Sequence, residues 1–284
     1  MKPAPFDYFE PASLSEALSL LAEHGDAGKV LAGGQSLVPA MNFRLARPSI
    51  LIDINRLSEL SYVRPDGDKL LIGALARHAA FHRSVVDGPL GMLLSKVVRH
   101  IAHYPIRQRG TFGGSLAHAD PASEWCLVAA TLGADLVVNS VRGERVIGSR
   151  DFFKGTFSTA LAPDELLTEI RLPAMSRDWR VGFYEFSRRA GDFALGMALA
   201  ALKVDNGIVK DARLGIGGVS DRAIRLETLE GRLIGGPASP EIVDAIAREA
   251  RDMVTPTGDI HASPEYRRDL IATAVRRALA EAMA

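Results

Sequence analysis

The hydrophobic pattern at the start of the chain predicts a small parallel α/β unit. Ser13 and Glu16 form a capping box, and apolar residues then recur at helical spacing until Gly25, which predicts one helix. The apolar runs 29–32 and 50–54 predict two short buried strands. A helix with strands of this kind favours a parallel sheet.

From about residue 60 the pattern becomes that of a larger mixed unit. The predicted elements are a strand at 69–72, helices near 76–86, at 91–103 and from an Asp120-Pro121 start to about residue 132, a hairpin of 134–139 and 144–147, and a strand at 165–172. Residues 173–178 predict a linker. We therefore expect a first domain at 1–175, divided into subdomains at about 1–57 and 58–175.

The C-terminal part predicts a sheet followed by helices. Strands at 198–204 and 208–216 are joined by Asn206-Gly207, the dipeptide that best fits a tight hairpin. Helices are predicted at 222–233, 240–253 and 264–283. The order of elements predicts an α+β fold with a second domain at 179–284.

The balance of charges disfavours nucleic acid and anionic surfaces as partners. The 284-residue chain has 34 Lys plus Arg and 34 Asp plus Glu, so its net charge gives no attraction for a polyanion. No apolar stretch has the length of a membrane span, and the N-terminus lacks a signal-peptide core. We expect no integral membrane segment and a cytoplasmic location, with any contact to the inner face of the membrane made through a complex.

The single cysteine excludes several redox and metal sites. Cys126 has no partner for an intrachain disulfide, and an iron–sulfur cluster with cysteine ligands needs four thiolates. The histidine pairs at 78 and 82 and at 100 and 103 have helical spacing but lack a metal-ligand pattern. We predict a buried, apolar thiol, no metal site, and no side-chain catalytic residue, since no nucleophile–base constellation stands out.

Two glycine-rich segments carry the strongest functional signal. We call residues 32–37 the first glycine segment and residues 110–115 the second. Glycines beside hydroxyl residues let backbone N–H groups approach a phosphate closely. Neither segment matches the Rossmann fingerprint or the P-loop. Two such segments can clamp one dinucleotide from two sides, although an ordinary turn also explains the first segment taken alone.

Residues near these segments have structural as well as functional interpretations. Glu124 either favours the first turn of its helix through the macrodipole or accepts hydrogen bonds from ligand hydroxyls. Arg107 and Arg109 either bind phosphate or are solvated surface charges. Phe193 either packs in the core or covers a planar ligand ring. The glycine-rich run 215–219 ends a hairpin strand, which favours a backbone turn over a nucleotide loop.

Together with longer motifs, these residues resemble the FAD-binding medium subunit of molybdenum hydroxylases, the family of carbon monoxide and xanthine dehydrogenases. Residues 32–37 and 106–121 are similar to the two FAD signatures of that family. Residues 184–194, 217–219 and 263–268 are similar to its C-terminal domain. The resemblance implies a PCMH-type FAD-binding domain of two subdomains, followed by a three-stranded antiparallel sheet with a helical bundle.

The resemblance also implies a division of labour among subunits. FAD is bound by this chain, a large subunit holds a molybdopterin cofactor, and a small subunit holds two [2Fe–2S] clusters. The complex is expected to be a dimer of heterotrimers. Electrons pass from the clusters through FAD to an external acceptor, so the chain is expected to be an oxidoreductase subunit.

Carried over to this sequence, the resemblance places the FAD diphosphate at 32–36 and 111–115 and Glu124 near the flavin polyol or phosphates. The implied cofactor contacts are Ala32, Gly33, Gly34, Gln35, Ser36, Leu37, Ile101, Thr111, Phe112, Gly113, Gly114, Ser115, Ala119, Asp120, Glu124, Leu167, Tyr184 and Phe193. The chain lacks the cysteine-rich insertion that holds a [4Fe–4S] cluster in some relatives. Gln35 replaces a histidine of some members, and its amide still donates a hydrogen bond.

Two other functions fit the sequence less closely. One is a self-contained FAD oxidoreductase resembling vanillyl-alcohol oxidase, which needs its own substrate pocket facing the flavin. The other is a nucleotide-binding assembly protein without redox activity. The sequence leaves open the substrate, which the large subunit sets, and the acceptor, which is a quinone, NAD, a cytochrome or oxygen.

Overall fold

A computed structural model describes residues 1–284. The strands are β1 (Asp7–Phe9), β2 (Gly28–Leu31), β3 (Ile50–Asp53), β4 (Val63–Asp66), β5 (Lys69–Gly73), β6 (Asp135–Ser140), β7 (Gly143–Gly148), β8 (Phe153–Gly155), β9 (Ser158–Thr159), β10 (Leu166–Pro173), β11 (Trp179–Phe186), β12 (Gly196–Asp205), β13 (Ile208–Gly217) and β14 (Ile224–Arg225). The helices are α1 (Leu14–His24), α2 (Leu37–Asn42), α3 (Pro89–Val97), α4 (Tyr104–Arg109), α5 (Phe112–His118), α6 (Glu124–Leu132), α7 (Ser149–Phe152), α8 (Glu227–Leu233), α9 (Pro240–Asp252) and α10 (Pro264–Met283). None of the helices combines the length and hydropathy needed to cross a membrane.

The N-terminal unit confirms the predicted parallel sheet. Strands β1 and β2 both run parallel to β3, in the order β1-β3-β2. The capping box of α1 forms as expected, because the Ser13 hydroxyl accepts a hydrogen bond from the Glu16 N–H at 3.2 Å. Since β2 and β3 are parallel, their carboxyl ends lie at the same edge, where ligands bind in open α/β sheets. The first glycine segment follows β2 at this edge.

The middle unit is a five-stranded antiparallel sheet in the order β4-β5-β10-β6-β7. Helices α3, α5 and α6 supply most of the side chains that pack with it in one apolar core. At the centre of this core the Phe112 and Trp125 rings stack with centroids 4.6 Å apart. Cys126 is buried beside them, as predicted, and burial raises the pKa of its thiol to about 12.

Two elements of the middle unit differ from the sequence prediction. The helix expected near 76–86 is only a short 3-10 turn at His78–His82. The helix expected from Asp120 begins at Glu124, because Ser123 is the residue whose hydroxyl caps it by accepting from the Cys126 N–H. The Asp120 carboxylate instead closes a turn by accepting from the Ala122 N–H at 2.9 Å.

The C-terminal unit has three long antiparallel strands, β11, β12 and β13, and the two-residue β14 at its edge. Asn206 and Gly207 both have positive φ, 49° and 76°, which is the mirror-image turn that the hairpin requires. Helices α8, α9 and α10 pack with the sheet in a second apolar core. A Cβ at Gly182 would lie 2.0 Å from the Ala278 carbonyl oxygen, so this glycine allows α10 to approach β11.

The other face of the C-terminal sheet packs against the middle unit. Phe183, Met197 and Leu199 belong to the same apolar core as Trp125. At the edge of this interface the His100 ring meets the Phe183 ring at 5.1 Å. The two units are therefore joined through a dry interface along one side of the sheet.

Candidate functional site

The two glycine segments, distant in sequence, lie directly against each other. A Cβ at Gly33 would lie 2.5 Å from the Arg109 carbonyl oxygen and 2.7 Å from Gly110 Cα. Both neighbours are backbone atoms, so no side chain can move aside to make room. Gly33 is therefore required for the contact that brings the two segments together.

The first glycine segment presents a row of free backbone donors. The N–H groups of residues 33–36 make no hydrogen bond within the chain, whereas their neighbour Val38 donates to the Gly34 carbonyl. Gly34 has a positive φ of 72°, a conformation that turns successive amides toward one side. The Gln35 side-chain amide donates to the Gly33 carbonyl at 3.0 Å and holds the loop. Consecutive free amides of this kind form an anion-binding concavity.

The second glycine segment contributes shape rather than free amides. It is the start of helix α5, where the Thr111 hydroxyl caps the Gly114 N–H at 3.0 Å. The N–H groups of Phe112 and Gly113 donate to the carbonyls of Ala76 and Ala74. This helix was not predicted from the sequence, and Thr111 caps it nine residues before the expected helix start at Asp120.

Gly113 and Gly114 serve different purposes in this helix. A Cβ at Gly113 would lie 2.6 Å from the Ala74 Cβ, so this position needs glycine for packing. A Cβ at Gly114 would lie 4.0 Å from the Ala32 Cβ, across the space between the two segments. The Ser115 hydroxyl, on the same turn, is half-buried and has no hydrogen-bond partner in the chain. Gly114 and Ser115 therefore border the side of the helix that faces a ligand.

A hydrogen-bonded bridge that we did not predict ties the two segments together. The Asn55 side-chain amide donates to the Ala32 carbonyl at 2.8 Å, and its Oδ1 accepts from Arg77 Nη2 at 2.6 Å. Arg77 Nη1 in turn donates to the Arg109 carbonyl. The sequence holds one signal for this bridge, since Asn55 follows the carboxyl end of β3 beside the first glycine segment.

A buried histidine packs against the start of the second glycine segment. The Trp125 indole N–H donates to His78 Nδ1 at 3.0 Å, and a Cβ at Gly110 would lie 2.6 Å from His78 Nε2. Burial lowers the pKa of His78 to about 3, so the ring is neutral at physiological pH. His78 is thus a buried packing residue.

Two cavities flank these elements. The first, about 280 Å³, is lined by Leu31, Ala32, Gly33, Gly34, Gln35, Val38, Pro39 and Arg109. The second, about 650 Å³, lies between the middle and C-terminal units, and we call it the cleft. Asp120 and Phe157 border the cleft on one side, and Phe193 and Arg267 border it on the other. Helix α5 starts three residues after Arg109, which lines the first cavity, and ends at His118, two residues before Asp120 at the cleft.

The remaining predicted contacts fall into two groups. Asp120 lines the cleft, and Phe193 enters it with 75 % of its surface exposed, so it is not a core residue. Ala119, in a left-handed conformation, is buried in the apolar core just before Asp120. Ile101 and Leu167 are buried in the apolar core behind the site. Tyr184 projects from the opposite face of β11, where its ring lies 4.5 Å from the Arg277 guanidinium. Of the predicted contacts, residues 32–35, Asp120 and Phe193 line the cavities, and the second glycine segment lies against the first without lining either cavity.

Glu124 is buried and lines neither cavity. Burial, together with the charge of Asp120, raises the pKa of its carboxyl to about 7. It faces a second buried acid, Glu185 on β11, and burial and the charge of Glu124 raise the pKa of Glu185 to about 9. The two interpretations given to Glu124 are therefore incomplete, and a third is added: Glu124 is a partly protonated acid inside the domain interface.

Comparison with known families identifies both domains of the chain. Residues 4–175 match the FAD binding domain in molybdopterin dehydrogenase, and residues 182–282 match the CO dehydrogenase flavoprotein C-terminal domain. The chain belongs to the FAD-binding medium subunits of the molybdenum hydroxylases. It is an FAD-containing oxidoreductase subunit, and this membership does not favour either of the two other functions considered from the sequence.

Individual relatives and a solved structure agree over the full length. The chain is 41 % identical over 284 residues to the 6-hydroxypseudooxynicotine dehydrogenase complex subunit alpha of Paenarthrobacter nicotinovorans, covering 100 % of this chain and 96 % of the relative. It is 39 % identical to the caffeine dehydrogenase subunit beta of Pseudomonas sp. strain CBB1, covering 99 % and 96 %. Its fold matches carbon monoxide dehydrogenase from Hydrogenophaga pseudoflava with a TM-score of 0.96 at 34 % identity, covering 99 % and 98 % of the two chains.

The geometry of the site fits FAD. The free amides of residues 33–36 suit a diphosphate, and the glycines keep side chains away from it. The exposed Phe193 ring in the cleft suits a planar ring system. A helix of seven residues separates the two places, a span of about 10 Å that only an extended cofactor bridges.

Replacing Arg77 with alanine is expected to weaken FAD binding about tenfold, since about 1.4 kcal/mol is lost with one bridging charged hydrogen-bond pair. The arginine contacts both glycine segments through Asn55 and the Arg109 carbonyl, so its loss lets them separate. Flavin fluorescence titration of the purified chain measures the change.

Arg83 provides the matched control for this variant. It is an exposed arginine near the same turn and makes no hydrogen bond or ion pair within the chain. Arg83→Ala should bind FAD like the unmodified chain. Equal affinities for Arg77→Ala and Arg83→Ala would show that the bridge does not position the segments.

Proposed function

We propose that the chain relays electrons from a small subunit with two [2Fe–2S] clusters, through FAD, to an external acceptor, in a complex whose large subunit carries the molybdopterin cofactor. We further propose a cytoplasmic dimer of heterotrimers. The domain division at 1–175, with subdomains 1–57 and 58–175, and at 179–284 belongs to the same proposal. The observation that carries it is the row of free amides at residues 33–36, beside the full-length family match.

In this function the residues of the chain bind, orient and shield. The amides of residues 33–36 hold the diphosphate, and Thr111, by capping the Gly114 N–H, keeps the second segment in shape beside it. Phe193, which lines the cleft, would pack against the flavin ring. Bound FAD supplies the capacity to take up electrons singly and to release them singly or in pairs. No side-chain nucleophile is needed, which agrees with the lack of such a constellation.

The substrate of the complex is proposed to be set by the large subunit. The names of the two relatives at 41 % and 39 % identity point to nitrogen heterocycles, so we propose this class for the first screen. We propose that the external acceptor is a quinone, NAD, a cytochrome or oxygen, and the same screen identifies which of these takes up the electrons.

Affinity purification from the native cells tests the function. We expect one flavin per chain, together with iron, molybdenum, a large chain and a small chain. Addition of substrate should then bleach the flavin absorption. If the flavin is found on this polypeptide alone, and the polypeptide itself oxidises a small molecule, the result supports the self-contained oxidoreductase. If the chain binds no FAD in a titration, the result supports an assembly protein.

A further inference from the structure

Asp53 is a buried acid whose hydrogen-bond partners are all neutral. It ends β3, the central strand of the parallel sheet, with 9 % of its surface exposed. The Tyr8 hydroxyl donates to its Oδ2 atom at 2.7 Å, and the backbone N–H of Asn55 donates to its Oδ1 atom at 2.9 Å. The Asn55 side-chain amide donates to the same Oδ1 atom. A buried carboxylate without a directly bonded cation is costly, so the position calls for a functional explanation.

The Asp53 carboxylate determines which way the Asn55 amide points. A carboxylate only accepts hydrogen bonds, and the guanidinium of Arg77 only donates them. The Asn55 amide therefore turns its NH₂ group toward Asp53 and its oxygen toward Arg77, whose Nη2 atom donates to it at 2.6 Å. In this orientation the same NH₂ group also donates to the Ala32 carbonyl at 2.8 Å. The reverse orientation would set the amide oxygen against two other acceptors.

The hydrogen bond to the Ala32 carbonyl fixes the first free amide of the first glycine segment. All peptide bonds of the chain are trans, and in a trans peptide the N–H points away from the carbonyl of the preceding residue. Since the Ala32 carbonyl points toward Asn55, the Gly33 N–H points to the opposite side, where it makes no hydrogen bond within the chain. Asp53 thus orients, through Asn55, a donor that suits a phosphate oxygen.

Arg77 carries the same network to the second glycine segment. Its Nη1 atom donates to the carbonyl of Arg109, and the oxygen of that carbonyl lies 2.5 Å from the position of a Cβ at Gly33. Burial and the charge of Arg109 lower the pKa of Arg77, whereas the charge of Asp53 acts against this shift. Asp53 is therefore also the acid that stabilises the charge of Arg77 beside a second arginine.

Tyr8 holds the carboxylate from the neighbouring strand. It lies on β1, where it pairs with Leu51 of β3. The hydrogen bond to Asp53, together with burial, raises the pKa of Tyr8 to about 12, so the hydroxyl remains a donor at physiological pH. Four side chains, those of Tyr8, Asp53, Asn55 and Arg77, thus connect β1 to both glycine segments by hydrogen bonds.

We propose that Asp53 and Tyr8 are positioning residues for the diphosphate of FAD, which act through Asn55 on the Gly33 N–H and through Arg77 on the contact between the glycine segments. The inference rests on the proposed function and deepens it. Neither residue lines the cavity beside the first glycine segment, so their effect passes through the two residues that they orient. A segment that is held in its binding conformation before the ligand arrives loses less entropy on binding.

Two conservative substitutions test the proposal. Asp53→Asn keeps the shape of the side chain but no longer fixes the Asn55 amide, so the affinity for FAD should fall about tenfold. Tyr8→Phe removes a single hydroxyl and should lower the affinity about threefold. Isothermal titration of the full chain measures both values, at a temperature where circular dichroism shows that each variant is folded.

A spectroscopic readout separates positioning from a general loss of stability. At saturating FAD, the phosphorus NMR resonances of the bound diphosphate should shift in both variants. The visible circular dichroism of the flavin should remain unchanged, because neither residue lines the cleft.

Glu230→Gln is the matched control in the C-terminal unit. Glu230 is also a buried acid, and it accepts from the Leu214 N–H and from Arg225 at 2.8 Å. This variant should lower the Tm of the apo-chain but keep the FAD affinity and the phosphorus resonances of the unmodified chain.

The possible results distinguish the inference from the proposed function. Unchanged affinity and unchanged phosphorus resonances in both Asp53→Asn and Tyr8→Phe overturn the positioning role and leave the proposed function intact. A loss of affinity in Glu230→Gln that matches its loss of Tm also overturns the role, since affinity would then follow stability alone. If Asp53→Asn does not fold, Tyr8→Phe decides. An unmodified chain that binds no FAD overturns the proposed function itself, and the positioning role with it.

Discussion

Replacing Gly33 with alanine is expected to lower the affinity for FAD roughly 100-fold, which corresponds to about 3 kcal/mol. The added Cβ would lie 2.5 Å from the Arg109 carbonyl oxygen, so the first glycine segment must move away from the second. The same shift displaces the free amides of residues 33–36 from the diphosphate. Isothermal titration with FAD and the flavin-to-protein ratio after purification measure the effect.

Gly148 provides the control for this substitution. A Cβ at Gly148 meets no atom within 4 Å, and its φ of −64° suits any residue. Gly148→Ala should therefore retain FAD like the unmodified chain. Should Gly33→Ala also retain it, the contact between the two glycine segments would have no part in holding the cofactor.

Replacing Arg267 with methionine is expected to lower the free energy of unfolding by about 2–4 kcal/mol. This buried arginine donates to the carbonyls of Leu195 and Gly218 at 3.1 and 2.9 Å and to the Asp259 carboxylate at 2.7 Å. Methionine fills similar space but leaves both carbonyls without their donor. Urea unfolding of the apo-chain, followed by circular dichroism, gives the change.

The same substitution should also weaken FAD binding, because Leu195 and Gly218 line the cleft. Arg267→Lys keeps the charge but loses the fork that reaches two carbonyls and a carboxylate, so we expect an intermediate stability. Arg277 lies on the same helix as Arg267, and its guanidinium lies over the Tyr184 ring at the surface. The variant Arg277→Met therefore provides a surface control. Equal stability of the Arg267 and Arg277 variants would contradict the role assigned to the buried arginine.

The sequence predicted those elements that local chemistry determines. The capping box before α1, the Asn206-Gly207 hairpin and the helix Pro264–Met283 are confirmed, because each depends on residues that are near neighbours in sequence. The glycine segments were recognised for the same reason. Their composition is unusual enough to be seen without knowing what they touch.

The errors and omissions arise where distant residues decide. The Asp120-Pro121 pair looks like a helix start. The Asp120 carboxylate instead accepts a hydrogen bond from the Ala122 N–H, and the helix begins only after its cap at Ser123. Asn55 and Arg77 each acquire a role only from partners that are at least 22 residues away in the sequence. The sequence also could not distinguish Gly33, needed for a backbone contact, from Gly114, where a Cβ would lie 2.6 Å from the Thr111 hydroxyl.

The buried state of Cys126 makes the molecule a ready scaffold for site-specific spectroscopic labels. Its thiolate is scarcely formed at neutral pH, since the pKa is about 12, and the sulfur is enclosed in the core. Maleimide or nitroxide reagents should therefore not react with Cys126, so this native cysteine need not be replaced before labelling. A cysteine introduced at an exposed position such as Phe157 or Leu45 then becomes the sole reactive thiol of this chain, and pairs of such positions can measure distances between its units.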